Sequence, residues 1–552
     1  MMSRFELQCS HCDNRKTLIQ GWAKLSKSFS LSVKPSERLI MHPRIHAETQ
    51  PDKVAVAMVT SGETVTYGEL EQRANRGAHA LRHLGLGKGD TLAIACNNRL
   101  EFFDIYWAAQ RAGVILVLIS ARLKLDEISY IVNDSGASVL LVSDAMPTLA
   151  RAAETARQSM PGLDWVVTIG PVGSLPDWQA LCAAQPATLI GDEEIGGRMV
   201  YSSGTTGKPK GIKFTSAVGS PVQPNPAAIL FNRLYGLGSD TVYLSPAPLY
   251  HSAPMGMTAG IQSVGGTAII MSKFDAEEFL KAIERWKVTA LMAVPTMFIR
   301  LLALPPEVRA RYDLSSLKTV IHASAPCPVP VKRAMIDWLG PIIDEFYAGS
   351  EGNGHVTISS AEWLAHPGSV GKAVVGAIHI CDDAGIELPT GQTGTIYFSG
   401  GKPVSYYNDP AKTASAHNPL HPEWSTMGDV GRVDEERYLY LSDRKDFMII
   451  TGGVNVYPQE VEDLLITHPA VADAAVFGVP HPDFGEEVKA VIQPKRWEQA
   501  TDDLAKELIG WCRERLADVK CPRSMDFERE LPRAETGKLY KKELKARYWP
   551  AG

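Results

Sequence analysis

The residues best suited to chemistry cluster between Tyr201 and Ile212, which read Tyr-Ser-Ser-Gly-Thr-Thr-Gly-Lys-Pro-Lys-Gly-Ile. Gly204, Gly207 and Gly211 let the backbone turn where a side chain would clash. Ser202, Ser203, Thr205 and Thr206 supply hydroxyls, while Lys208 and Lys210 add positive charge. Such a stretch suits a polyphosphate. Counted from Gly204, the spacing of the Walker loop fails. The dinucleotide fingerprint fails as well, because Ile-Lys-Phe-Thr after Gly211 alternates like a strand and does not open a helix. A loop joining two strands is expected.

Further along stand other segments with chemical potential. Pro248-Leu-Tyr-His251-Ser-Ala-Pro-Met255-Gly256-Met257, followed by Gly260, sets a histidine between prolines beside small or adaptable apolar residues, which fits a pocket rim. Thr319-Val-Ile-His322-Ala323-Ser324-Ala-Pro326 reads as a strand ending in small residues, against whose backbone a flat ligand can lie. A second strand, Ile342 to Tyr347, runs into Ala348-Gly349-Ser350-Glu351. Trp424-Ser-Thr-Met-Gly-Asp429 and Ser442-Asp-Arg444-Lys-Asp446 follow. After them come Gly452-Gly453 in a strand–turn–helix context, and Leu531-Pro-Arg-Ala-Glu-Thr-Gly-Lys538-Leu near the end. Lysines such as Lys541, Lys542 and Lys545 would alone read as a solvated face.

Taken together and in this order, these segments resemble the adenylate-forming superfamily of acyl-CoA synthetases, luciferases and peptide-synthetase adenylation domains. The resemblance covers about residues 42 to 545. It implies that Ser202, Ser203, Gly204, Thr205, Thr206, Gly207 and Lys210 hold ATP phosphates, with Ala323 and Ser324 beside the adenine. It implies that Tyr347 stacks on the adenine within Tyr347-Ala348-Gly349-Ser350, Ser350 offers a hydroxyl to the α-phosphate, and Glu351 carries magnesium. Asp429 would accept the ribose hydroxyls and Arg444 would contact the nucleotide. Asp446 would be a hinge, Gly452 and Gly453 would let CoA pass close to backbone, and Lys538 would be the catalytic lysine. His251 would stand beside the acyl carboxylate, and an acyl pocket of His251, Met255, Gly256, Met257, Gly260, His322 and Val356 points to a fatty, aromatic or steroid-like acid. Ala348 for Gly, Ser350 for Thr and Met427 before Gly428 depart from the family wording.

The implied reaction joins acid and ATP into acyl-AMP and pyrophosphate, then exchanges AMP for CoA, with ATP, Mg2+ and coenzyme A required. Transfer to a carrier protein, a luciferase-type oxygenase and a non-catalytic sensor stand as alternatives. Both reactants of the first step are anions, so phosphate-loop donors, Glu351 with magnesium, and Lys538 would offset charge where it develops.

The elements that must position these groups follow from patterning. With 552 residues the chain is too long for one core, and about 150 residues per domain suggests three or four units. Residues 1–40 are expected to be a disordered extension, 41–445 a large adenylating domain and 446–552 a small mobile α+β domain carrying Lys538. Met41 is a candidate start, and Cys9, His11 and Cys12 lack the second ligand pair that zinc needs. The expected fold class is α/β: two layered α/β subdomains plus a small β-barrel, then the small α+β domain. Helices alternate with short apolar strands from Thr64 to Val142, while residues 146 to 195 read as a looser segment. A net charge of −6 gives no footprint for nucleic acid. The absence of an apolar run of ~18 residues argues against a membrane span, and eight scattered cysteines suit a reducing compartment, hence a cytoplasmic location, as a monomer or homodimer.

Overall fold

The computed structural model describes residues 42–202, 209–214, 221–222, 226–533 and 539–549. The N-terminal extension with Cys9, His11 and Cys12, the loop from Ser203 to Lys208, and Lys538 lie outside the described residues.

The expected α/β class holds. A six-stranded sheet takes its strands in the order Trp165–Ile169, Ala137–Ser143, Thr91–Ala95, Ile115–Ile119, Gly197–Ser202 and Lys210–Phe214. All neighbours are parallel except the last pair. Buried on both faces, these strands read as continuous apolar runs. Leu92 and Ile94 enter one core while Ala93 and Ala95 enter the other, as the two-residue period of a strand requires. Residues 146–195 are less loose than their sequence suggests. They hold the helices Pro147–Thr155 and Trp178–Ala183 and the edge strand Trp165–Ile169, which pairs with Ala137–Ser143 and buries Val166 in the core with Ala150 and Ala153 and Val167 in the core with Trp178.

A nine-stranded sheet packs opposite. Its order is Lys372–Val375, His355–Ile358, Ile343–Tyr347, Thr319–His322, Ala290–Ala293, Val242–Ser245, Thr267–Ile270, Val54–Met58 and Thr64–Thr66. The helices Tyr67–His83, Glu101–Arg111 and Ser252–Ser263 contribute to the core between the two sheets. The first starts on a capping box, Thr66 accepting from the Glu69 N–H while the Glu69 carboxylate accepts from the Thr66 N–H. The far face of the nine-stranded sheet is covered by Ala276–Trp286, Pro295–Leu302 and Val329–Leu339.

Where the small barrel was expected there is a four-stranded antiparallel sheet, Ala377–Cys381, Gly394–Ser399, Asp429–Val433 and Leu439–Arg444. A bridge between Leu439 and Gly371 ties its outer strand back towards the nine-stranded sheet. Residues 449–527 form a further five-stranded sheet with its own core under the helices Pro458–Leu465 and Asp502–Arg513. The helix Pro458–Leu465 meets the strand Leu439–Arg444, where the Gln459 N–H donates to Asp443 Oδ2 at 3.1 Å, and Lys541 of the last helix has its Nζ 3.8 Å from the same oxygen.

Candidate active site

The strands Gly197–Ser202 and Lys210–Phe214 form an antiparallel pair in the register Ser202↔Lys210. The glycine-rich loop therefore joins two strands, as its flanking alternation implies. Gly211 lies opposite Tyr201, and a Cβ at Gly211 would stand 3.2 Å from the Tyr201 ring and from Tyr407. Lys210 itself is buried, its ammonium 5.9 Å from the centre of the Tyr406 ring. Burial and then the neighbouring Lys412 lower its pKa, against the pull of Asp409 and Asp446, and Lys542 from the last helix adds to the lowering. Asp446 and the C-terminal helix Lys541–Tyr548 thus come within electrostatic range of the loop's second strand.

Facing this hairpin are the carboxyl ends of Thr319–His322 and Ile343–Tyr347, a position where open α/β sheets take ligands. Ala323 is buried, and Ser324 has φ +76°, a left-handed conformation costly for a residue with a Cβ. The Tyr347 hydroxyl donates to Asp429 Oδ2 at 2.7 Å, and Arg444 Nε stands 3.2 Å from Asp429 Oδ1. The Tyr406 hydroxyl donates to Glu351 Oε1 at 3.0 Å. Burial, then Asp429, pushes the Tyr347 phenol well above its ordinary range, and burial, then Glu351, does the same for Tyr406. Both phenols therefore remain protonated donors. Burial works against the charge on Arg444, but Asp429 and then Glu351 outweigh it and raise its pKa. Ser350 lies beside Glu351 in the turn after the strand. A Cβ at Gly349 would displace the Met427 sulfur and the Glu351 carboxylate from their present positions.

The segment expected beside the acyl group forms the helix Ser252–Ser263, whose N-cap residue is His251, its ring centre 4.6 Å from that of Tyr250. Met257 joins an apolar cluster with Tyr243, Met292, Ile321, Ala323 and Phe346, while Gly256 and Gly260 leave another stripe of the helix without side chains. Three residues expected in the acyl pocket fall elsewhere. His322 points to the opposite face of its strand from Ile321, where it is fully buried 3.2 Å from Glu345 and against Phe298. Val356 packs with Ile378, Ile396 and Phe398 of the four-stranded sheet. Met255 turns into the core between the two large sheets. Strand and helix periodicity separates each from Met257.

Residues 44–407 match the family described as AMP-binding enzyme, and residues 460–538 match the AMP-binding enzyme C-terminal domain. The chain belongs to the AMP-binding enzyme family. This AMP-binding enzyme is 33% identical to a feruloyl-CoA synthase of an Amycolatopsis species, over 90% of this chain and 96% of the relative. It is 29% identical to the long-chain-fatty-acid–CoA ligase FadD13 of Mycobacterium tuberculosis, over 93% and 97% of the two chains. The crystal structure of the anthranilate CoA ligase AuaEII in complex with anthranoyl-AMP superimposes with a TM-score of 0.80 at 26% identity, covering 94% of this chain and 99% of that one. The expected adenylate-forming enzyme with a large N-terminal and a small C-terminal domain accords with these matches.

Within the AMP-binding enzyme, Tyr347 and Arg444 meet on Asp429, and Tyr406 stands between Glu351 and Lys210. Gly452 and Gly453 occupy the two-residue turn between the paired strands Ile449–Thr451 and Val454–Val456, with φ of +55° and +80°. A hairpin turn with positive φ at both positions is itself a sufficient reason for two glycines. Tyr406, which holds Glu351, was not singled out from sequence. Nothing in Val404-Ser-Tyr-Tyr-Asn408 marks it until the fold brings it to the carboxylate. Among the described residues no helix is long and apolar enough to cross a membrane, and none form a cluster of three or more His, Cys, Asp or Glu able to hold a metal.

Proposed function

We propose that the chain is an ATP-dependent carboxylic acid:CoA ligase acting on a hydrophobic acid, forming acyl-AMP and pyrophosphate first and acyl-CoA and AMP second. The observation that carries this reading is the pairing of Tyr347 and Arg444 on Asp429, with Glu351 alongside, at the strand ends facing the glycine-rich hairpin. A carboxylate fixed by a phenol and a guanidinium is oriented to accept two adjacent ribose hydroxyls. The CoA ligases named above support the acid and the thiol.

In this reading the acid carboxylate lies near His251 and attacks the α-phosphate, pyrophosphate leaving. Lys210 and the loop hydroxyls hold the phosphates, and Lys538 neutralises charge between the substrate carboxylate and the α-phosphate. Magnesium fits the donor set, since one carboxylate, Glu351, plus phosphate oxygens and water satisfy its coordination without a protein cage. Bound there, it would supply charge neutralisation on the phosphates. For thioester formation the small domain turns about Asp446, withdraws Lys538 and presents Gly452 and Gly453 to the pantetheine chain.

The test is a panel of fatty, aromatic and steroid-like acids scored for AMP release with and without CoA. At least one acid is expected to release AMP in a CoA-dependent manner, and none doing so would overturn the proposal. Lys538→Ala is expected to abolish ATP–pyrophosphate exchange while sparing thioester formation from supplied acyl-AMP, and Asp446→Pro to keep exchange but lose overall turnover. Equal loss of both half-reactions in each variant would remove the two-step assignment.

A further inference from the structure

The strand Gly197–Ser202 carries a cation that nothing described so far uses. Arg198 lies in register between Leu116 and Phe214 on the neighbouring strands. By alternation it faces the same side as Val200, which lies in the core between the two large sheets. Its guanidinium carbon is 4.6 Å from the centre of the Phe214 ring. Among the described residues it makes no hydrogen bond or ion pair, although part of its surface stays open. The charge near it is that of no acid: burial lowers its pKa and only the Tyr106 phenol acts in the other direction. A guanidinium offers five donors and stays charged, so leaving it enclosed without an anionic partner is costly.

Where Arg198 points matters more than its burial. A Cβ on Gly256 would stand 3.2 Å from the Arg198 Nη1, so the guanidinium lies directly over that glycine. Gly256 is on the helix that His251 caps, next to Met257 and one turn after Ser252. At 1.5 Å per residue, Gly256 stands about 7–8 Å along the axis from His251. One turn further, Gly260 faces Asn232, whose buried Nδ2 has no hydrogen-bond partner. The face that runs away from His251 therefore carries no bulky side chain, meets the unpaired Arg198 guanidinium at Gly256 and, one turn on, is closed by Ala228 and the Asn232 amide oxygen, each 3.9 Å from a Cβ at Gly260.

We propose that Arg198 selects a substrate acid bearing a second carboxylate, about 7–8 Å from the reacting one, which pairs with the guanidinium where that group lies over Gly256. This rests on the acid:CoA ligase reading and deepens it by narrowing the hydrophobic acid to one with an apolar middle and a second carboxylate at its far end. The apolar cluster around Met257 covers the hydrocarbon between the two carboxylates, and Ala228 and Asn232 close the stripe at Gly260.

The experiment compares linear dicarboxylic acids of graded length with monocarboxylic acids of the same length, on the wild-type enzyme and on Arg198→Met and Arg198→Lys. Two readouts are used: CoA-dependent AMP release, and equilibrium binding of the acid by calorimetry in the absence of ATP. The wild type is expected to favour a dicarboxylate by at least tenfold in kcat/KM, with an optimum in chain length. Arg198→Met should lose that preference while keeping or improving turnover of the matched monocarboxylate, and Arg198→Lys should keep part of it. A uniform loss on both acids with a lowered Tm would make Arg198 structural and overturn the proposal, as would a wild-type preference for monocarboxylates. If no acid gives CoA-dependent AMP release, the ligase reading fails, and the calorimetry still decides this one: binding of a dicarboxylate that Arg198→Met abolishes supports it, and equal binding by both proteins refutes it.

Discussion

Lys332→Met tests how the ends of the central strands are held in place. Lys332, on the helix Val329–Leu339, is fully buried with its ammonium 2.6 Å from Glu345 Oε2, and His322 Nε2 lies 3.2 Å from the same oxygen. Glu345 and His322 are cross-strand partners on Ile343–Tyr347 and Thr319–His322, two residues before Tyr347 and Ser324 respectively. Burial alone would raise the Glu345 pKa, but His322 and then Lys332 bring it down to about 2. Against an ordinary carboxyl near 4.5, that shift corresponds to roughly 3 kcal/mol favouring the ionised fold. Because the folded pKa is depressed, this contribution is present above pH 4.5 and lost as pH falls through about 2. Methionine conserves volume but leaves the carboxylate buried beside a histidine whose pKa burial has lowered. Breaking a buried pair on one side costs about 3–5 kcal/mol, which corresponds to a fall in Tm on the order of 5–15 °C.

The pH dependence identifies the cause. Without Lys332, His322 no longer feels a repelling cation and faces an uncompensated carboxylate, so its folded pKa rises. Stability gained by protonating it is present below its unfolded pKa and lost as pH rises through the folded value. Scanning calorimetry at pH 6.0 and 8.5 should therefore show a smaller deficit for Lys332→Met at pH 6.0. A fall under 2 °C, or the same fall at both values, would refute the reasoning.

Two other perturbations are as specific. Asp104, buried in the helix Glu101–Arg111 with Arg73 no nearer than 3.8 Å, has its pKa pushed up to about 7 by burial. The folded state holds the proton more tightly, so the penalty is absent below pH 3.8 and full above about 7. Asp104→Asn should gain about 2–4 kcal/mol at pH 8.5, with the gain shrinking towards pH 5.5 by thermal denaturation. A gain independent of pH would contradict this. Gly349→Ala should reduce ATP–pyrophosphate exchange at least tenfold at unchanged Tm, because the added carbon displaces Met427 and Glu351, and adding Met427→Ala should restore part of it. Full exchange in the single variant would show that the turn can relax.

What was legible in the sequence follows from how local each feature is. The glycine-rich hairpin, the strand ending at Tyr347 and the Gly428-Asp429 turn declare themselves through short-range patterns of glycine, hydroxyl and charge, so their order along the chain sufficed. The faces of the sheet are less legible. His322 stands next to Ala323 in sequence, yet a one-residue step moves a strand side chain to the other side, and only the packing of Val329–Leu339 reveals which side holds the charges. Met255 and Met257 diverge for the same reason on a helix. Tyr406 and Arg198 were missed because their partners are distant: Glu351 lies 55 residues from Tyr406, and the glycine beneath Arg198 is on another element. Trp165–Ile169 was overlooked because its ladder partner is Ala137–Ser143, more than twenty residues away along the chain.

The strand order has a consequence for how the chain is made. The nine-stranded sheet begins with Val54–Met58 and Thr64–Thr66, after which the chain leaves to build the whole six-stranded sheet before returning at Val242–Ser245. The six-stranded sheet is in effect an insertion between the first hairpin and the rest of its neighbour. A nascent chain that has emerged as far as residue 240 holds every strand of the inserted sheet, including the pair that flanks the glycine-rich loop. It holds only an outer hairpin of the sheet that carries Tyr347 and Glu351. Domains tend to fold as units from the N-terminus during synthesis, so the strand pair flanking the glycine-rich loop is assembled first and waits for the strands that carry Tyr347 and Asp429. The strand Val54–Met58 is completed only when Thr267–Ile270 arrives beside it, more than two hundred residues later.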